Sequence, residues 1–211
     1  APGNPMMDGF LPVVRPINLE NFRRLILLCG SRMPEAMANF ARLLNAIEQI
    51  ESKTSLIIFV AIGSEPSIGL LEDSLKEKGY KKVPSPLIEM DTDSCFEKND
   101  LRLVLGVGKF EEWSRFVEVG IANAGTATEQ LVGLGVPCVS LPGKGPQFKN
   151  GFAIRQSRLL GGSVIPCQNS FEMVKTVQLL LQDSHLRERL SFIGKRRMGN
   201  SGGSEALAQR I

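Results

Sequence analysis

The stretch that decides the fold is IANAGTATEQLVGLGVP, residues 121–137. A short apolar run ends in Asn123-Ala124-Gly125, two threonines and a Glu-Gln pair follow, and a helical pattern closes on Gly135-Val136-Pro137. A strand that turns into a helix through small residues leaves helix amides unpaired at the junction, where an anion can meet them. Two readings of Glu129 stay open. Thr126-x-x-Glu129 has the spacing of a capping box, in which threonine caps the helix and glutamate bonds back. Alternatively, Glu129 faces a ligand. Either reading leaves amides near Thr126, Ala127 and Thr128 for a phosphate.

Outward from this junction, strands and helices alternate. Apolar runs at 24–30, 55–62, 101–107, 118–124, 137–143 and 163–167 read as strands, the first ones continuous as in strands buried on both faces. Helical spacing follows Pro34, with Met37, Phe40, Ala41, Leu44 and Ile47 on one side. Further helices are expected over about 67–78, 109–116, 127–134, 148–160, 170–182 and 184–197, with a last one in EALAQRI. This alternation predicts an α/β fold, a Rossmann-like parallel sheet with helices on both faces. Ligands of such sheets sit beyond the carboxyl ends of the strands, near a switch in strand order. The strand-to-helix loops are where function is to be sought.

The whole chain sets bounds on that search. Its 211 residues suit one α/β domain, and a net charge of +3 is too mild to argue for nucleic acid. Cys29, Cys95, Cys138 and Cys167 form no C-x-x-C pair and read as reduced structural thiols of a cytoplasmic protein. No apolar stretch approaches the ~20 residues that span a bilayer. The chain starts on alanine without a signal-peptide pattern and reads as excised or processed. Residues 1–20, rich in proline, read as an interdomain linker or the tail of a missing N-terminal domain, and 21–211 as one nucleotide-binding domain.

Four loops fall on the expected edge. In CGSRMPE, Gly30 permits a tight turn, Ser31 offers a hydroxyl and Arg32 a guanidinium suited to phosphate. The bland alternative is a serine cap beside a solvated arginine. In GVGKFEEW, Gly106 and Gly108 let a planar base approach the backbone or mark a tight turn, and Trp113 reads as a packing residue. The junction at Gly125 is the third. The fourth, LPGKGPQFKNG (141–151), joins glycines to Lys144, Gln147 and Asn150. Together they suggest a nucleoside diphosphate. His185, the sole histidine, reads as a surface residue, and no cluster has metal-ligand spacing. Asp91, Asp93 and Asp100 read as solvated loop carboxylates, and Lys195, Arg196 and Arg197 as cations favoured at a helix C-terminus or touching a membrane or phosphates. There is no P-loop and no dinucleotide fingerprint.

The combination resembles the C-terminal, donor-binding domain of GT-B glycosyltransferases over about residues 22–211. LLCGSR resembles the LPGSR segment of lipid-A-disaccharide synthase, NAGTATEQLVGLGVPCVSLP its SGTATLEAxLLGVPxVVxY region, and GNPMMDG its GHPLxD interdomain segment. The likeness is closest to the lipid-A-disaccharide-synthase-related proteins of cyanobacteria and plants. It implies a UDP-sugar donor, with Gly30, Ser31 and Arg32 near the diphosphate and Gly125, Thr126, Ala127 and Thr128 cradling it. Val107, Gly108 and Phe110 would border the base, and Gln147 with Asn150 would reach the sugar; the acid that neighbours this glutamine in some families is Pro146 here.

In these families a glutamate five residues before the glycine of G-x-P grips the ribose. That register falls on Gln130 rather than Glu129, so which of the two contacts ribose stays open. The resemblance further implies glycosyl transfer, with a lipid or glycolipid among the acceptors it allows and the general base on a missing N-terminal acceptor domain. No catalytic residue is expected in this chain, and neither metal nor cofactor is called for. Peripheral membrane contact is among the expectations; nucleic acid is not. A UDP-sugar 2-epimerase-like enzyme and a non-catalytic nucleotide-binding or interaction module are the alternatives.

Overall fold

The computed structural model describes residues 3–10, 17–87, 90–143 and 149–209. The core element is β1 (Arg23–Leu28), whose RRLILL sequence buries its last four residues on both faces of the sheet. Leu25 and Leu27 join a cluster with Phe40, Leu43 and Val177 on one face. Ile26 and Leu28 join Phe59, Trp113 and Leu131 on the other. This two-residue alternation is what a strand between two helical layers requires.

Along the chain follow α1 (Glu35–Ile47), β2 (Leu56–Ile62), α2 (Ile68–Glu77), β3 (Lys81–Val83), β4 (Ser94–Lys98), β5 (Leu101–Val107) and α3 (Phe110–Trp113). Then come β6 (Val119–Ala122), α4 (Thr126–Gly133), β7 (Cys138–Ser140), α5 (Asn150–Leu159), β8 (Val164–Pro166), α6 (Ser170–Gln182), α7 (Ser184–Met198) and α8 (Gly203–Ala208). The sheet has eight strands in the order β3-β4-β5-β2-β1-β6-β7-β8. It is an α/β, Rossmann-like architecture, as the alternation predicted.

One edge departs from a wholly parallel sheet. β4 pairs antiparallel with β5, Lys98 opposite Leu101, and β3 pairs antiparallel with β4. Asn99 and Asp100 make the two-residue turn, with Asn99 at φ 54°. Asparagine tolerates that left-handed backbone better than most residues, and such a turn is the usual means of joining antiparallel neighbours. The exposed lysines of β3 suit an edge strand, where charge discourages pairing with another chain.

The sequence order reverses at β1. From there the chain passes to β2 on one side, while β6 lies on the other. The loops after β1 and β6 therefore end side by side. A Cβ on Gly30 would stand 3.4 Å from the Asn123 carbonyl oxygen, and Gly30 has φ +92°. Both the close approach and the left-handed backbone favour glycine there.

The opposite, amino end of the sheet is closed by charge. Glu118 accepts from Arg23 Nη2 at 2.8 Å and from the Arg24 amide at 3.0 Å, and Arg187 Nη2 lies 3.7 Å away. Burial works against its ionisation, but the Arg23 hydrogen bonds and the two neighbouring guanidiniums hold its pKa below the ordinary glutamate value.

The segment 3–10 packs on the domain. Asn4 donates to the Met198 carbonyl, and Asp8 accepts from the Gly202 and Ser204 amides at the start of α8. Met7 is seated where a Cβ on Gly133 would come within 2.4 Å of its sulfur.

Candidate functional site

A cavity of about 1120 Å³ opens at the carboxyl end of the sheet, over the point where strand order reverses. Its size exceeds the ~300–1,000 Å³ typical of small-ligand pockets. Of the residues singled out from sequence, Gly30, Ser31, Arg32, Gly108, Phe110, Gly125, Thr126 and Ala127 line it. Three loops distant in sequence thus converge on one space.

Each loop is held by the sheet behind it. The β1 loop leads into α1, where the Ala36 amide donates to the Arg32 carbonyl at 2.9 Å. Ser31 and Arg32 are exposed, and the Arg32 guanidinium has no ion-pair partner among the described residues. The β6 loop is pinned by Asn123, buried at 3% exposure. Its side-chain amide donates to the Leu141 carbonyl at 2.8 Å, and its side-chain oxygen accepts from the Leu141 amide at 3.0 Å. That pair fixes the β6 loop against the end of β7.

The capping box is not formed. Gly125 is the N-cap of α4 and Thr126 its first helical residue, and no side chain caps the helix. The amides of Thr126 and Ala127 are left without partners among the described residues. The Thr128 amide, by contrast, donates to the Gly125 carbonyl at 3.0 Å, and its hydroxyl to the Ala124 carbonyl at 2.7 Å. Thr128 is fully buried, so its place in the predicted cradle is corrected: it braces the loop from behind.

Gln130 is corrected as well. Its amide nitrogen donates to the Met6 carbonyl at 3.0 Å, which turns the side chain toward the segment 3–10 and away from the cavity. Glu129, Val107 and Asn150 are also outside the lining. Val107's amide donates to Asp93 Oδ2 at 2.8 Å and Gly108's to the Ile62 carbonyl at 2.9 Å, so neither amide is free to read a base. Asp93 is accordingly more than a solvated loop carboxylate. Gln147, with Lys144, falls outside the described residues.

Sequence reasoning missed four side chains here. Arg42 lines the cavity and donates to the Leu141 and Pro142 carbonyls, while burial lowers its pKa from the usual arginine value. Gln156, buried on α5, donates to the Gly125 carbonyl at 3.2 Å and lies 3.5 Å from that of Ala124. With those carbonyls held from behind, the helix start is fixed for whatever meets the Thr126 and Ala127 amides. Glu35 and Glu111 also face the space.

Cys29 borders the cavity, but burial pushes its thiol up to about 11, which keeps it a neutral thiol rather than a nucleophile. The four cysteines are free and buried. His185 is exposed on α7, 3.8 Å from Glu188. Among the described residues no group of His, Cys, Asp and Glu could hold a metal ion, and no helix is long and apolar enough to cross a membrane.

No family model and no curated protein matches the sequence. Solved structures do. A Listeria monocytogenes structure assigned as a UDP-N-acetylglucosamine 2-epimerase aligns over 94% of this chain and 48% of its own, at TM-score 0.58 and 16% identity. The spinosyn rhamnosyltransferase SpnG, complexed with thymidine diphosphate, aligns over 90% and 46%, at TM-score 0.56 and 15% identity. The C-terminal CMP-Kdo binding domain of WaaA from Acinetobacter baumannii aligns over 85% of this chain and 91% of that domain, at TM-score 0.56 and 15% identity. The chain spans about half the length of the first two. It has the fold of the C-terminal Rossmann-like half of GT-B glycosyltransferases.

Proposed function

We propose that the chain is the donor-binding domain of a GT-B glycosyltransferase and that the cavity takes a UDP-sugar. The observation that carries this reading is the meeting in one cavity of the Thr126 and Ala127 amides with Arg32, none of them paired among the described residues. A helix start presents partial positive charge, and a guanidinium matches phosphate oxygens in pairs. A nucleoside diphosphate supplies two adjacent phosphates of the required charge.

In the reaction these groups would act on the leaving diphosphate. As the acceptor oxygen bonds to the sugar's anomeric carbon, the bond from that carbon to the diphosphate breaks and charge builds on the departing phosphate oxygen. Fixed amides and Arg32 stabilise that charge without reorganising. Gly108 and Phe110 would border the base. Glu35 and Glu111, the carboxylates of the lining, would meet ribose hydroxyls in place of Gln130. An acceptor, lipid or glycolipid in this reading, and the general base belong to a preceding domain joined through residues 1–20. The protein is cytoplasmic in this account.

A calorimetric panel of nucleotides and nucleotide sugars tests the reading. Uridine diphosphates should bind and uridine should not, while the 211 residues alone transfer no sugar. No heat from any nucleoside diphosphate would refute it. The epimerase-like reading has a neighbour in its favour, but the histidine-bearing loops characteristic of such enzymes are not evident in this sequence, and its sole histidine, His185, stands outside the cavity lining.

A further inference from the structure

Away from the cavity, several cations are satisfied in ion pairs: Arg23, Arg24 and Arg187 on Glu118, Lys76 and Lys82 on Glu72, Lys98 on Glu48. Five exposed arginines have no such partner among the described residues. Arg155 and Arg158 are on α5, and Arg189, Arg196 and Arg197 are on α7. Their helices also leave apolar side chains in water, with Leu159 63% and Phe192 66% exposed.

The spacing places these residues in stripes. On α5, Ile154, Arg155, Arg158 and Leu159 recur on the outer side, and on α7, Arg189, Phe192, Ile193 and Arg196 do the same. The stripes meet at the turn that ends α5. A Cβ on Gly161 would lie 2.6 Å from Ile193 Cγ2 and 3.1 Å from Arg197 Nε, and the Ser163 hydroxyl donates to the Leu190 carbonyl at 2.8 Å. With Glu188 as the carboxylate among them, the five arginines leave the face at +4, against +3 for the whole chain.

We propose that α5 and α7 form a docking face for an anionic lipid bilayer. Arginines flanking exposed Phe, Leu and Ile are the pattern of interfacial helices, where cations meet headgroups and apolar side chains enter the acyl boundary. A nucleic acid would satisfy the arginines but leave Phe192 and Leu159 in water, so lipid fits better. The face is independent of what occupies the cavity.

Vesicle sedimentation of the 211-residue protein, without nucleotide, tests this. Binding to vesicles of phosphatidylcholine mixed with phosphatidylglycerol should exceed binding to phosphatidylcholine alone and should fall as salt rises. The double variant Arg158→Glu, Arg196→Glu should bind about tenfold more weakly or worse, and Phe192→Ser several-fold more weakly, each with a parent-like melting temperature. Arg32→Ala should bind vesicles like the parent, which separates this test from failure of the nucleotide reading. Equal binding to both vesicle types would overturn the proposal, as would parent-like binding by the double variant. So would binding to single-stranded RNA that is lost with the arginines while Phe192→Ser leaves vesicle binding unchanged.

Discussion

The two ends of the sheet handle charge in opposite ways. At the amino end, Glu118 gathers Arg23, Arg24 and Arg187 into a closed network with the carboxylate largely out of water. At the carboxyl end, Arg32 is exposed and without an ion pair among the described residues, beside helix amides that also lack partners. A charge already satisfied inside the fold can stabilise it but has little left for a ligand. An unsatisfied one adds little to stability and is free to bind.

Breaking the closed end should have the largest effect. Glu118→Ala removes the carboxylate shared by three arginines at a partly buried site and should cost about 3 kcal/mol in urea unfolding, with nucleotide affinity unchanged in the folded fraction. Its pH dependence follows from the depressed pKa. Glu118 contributes its stability fully above its unfolded-state pKa, near 4.5, and loses it as pH falls through the lower native value. Glu118→Gln should therefore flatten the acid limb of the stability curve; an unchanged limb would place the linkage elsewhere.

At the open end, Gln156→Leu removes the donor that holds the Gly125 and Ala124 carbonyls. It should cost roughly 2 kcal/mol and weaken UDP binding as well, because the loop loses its brace. Arg32→Ala should do the reverse of Glu118→Ala. UDP affinity should fall about tenfold, while unfolding free energy shifts by less than about 0.5 kcal/mol. The smallest effect is expected for Gln130→Ala, about 1 kcal/mol of stability from the lost bond to Met6 and no change in UDP affinity. A large loss of affinity in that variant would restore the ribose role.

These contrasts also explain what the sequence disclosed. Strands such as LIIFVAI are continuous apolar runs because helices cover both faces, and that local signal places them well. β4 and β3 were missed because an edge carries Lys and Glu and breaks the apolar run, although Asn99-Asp100 was a turn signal. Gly30 and Gly125 were legible because a tight strand-to-helix turn selects small residues locally. Arg42 and Gln156 were not, since their partners are 99 and 31 residues away and only the packed fold brings them together. Thr128 and Gln130 were misassigned for a related reason: spacing puts a residue on a helix, while its neighbours decide which way it faces.

Amide hydrogen exchange with and without UDP tests the central claim most directly. The account predicts slowed exchange in the segments around 28–36 and 123–131, with β4 and α7 unchanged. Nucleotide binding that leaves both segments unprotected, or protection centred on the contact between Gln130 and Met6, would contradict it.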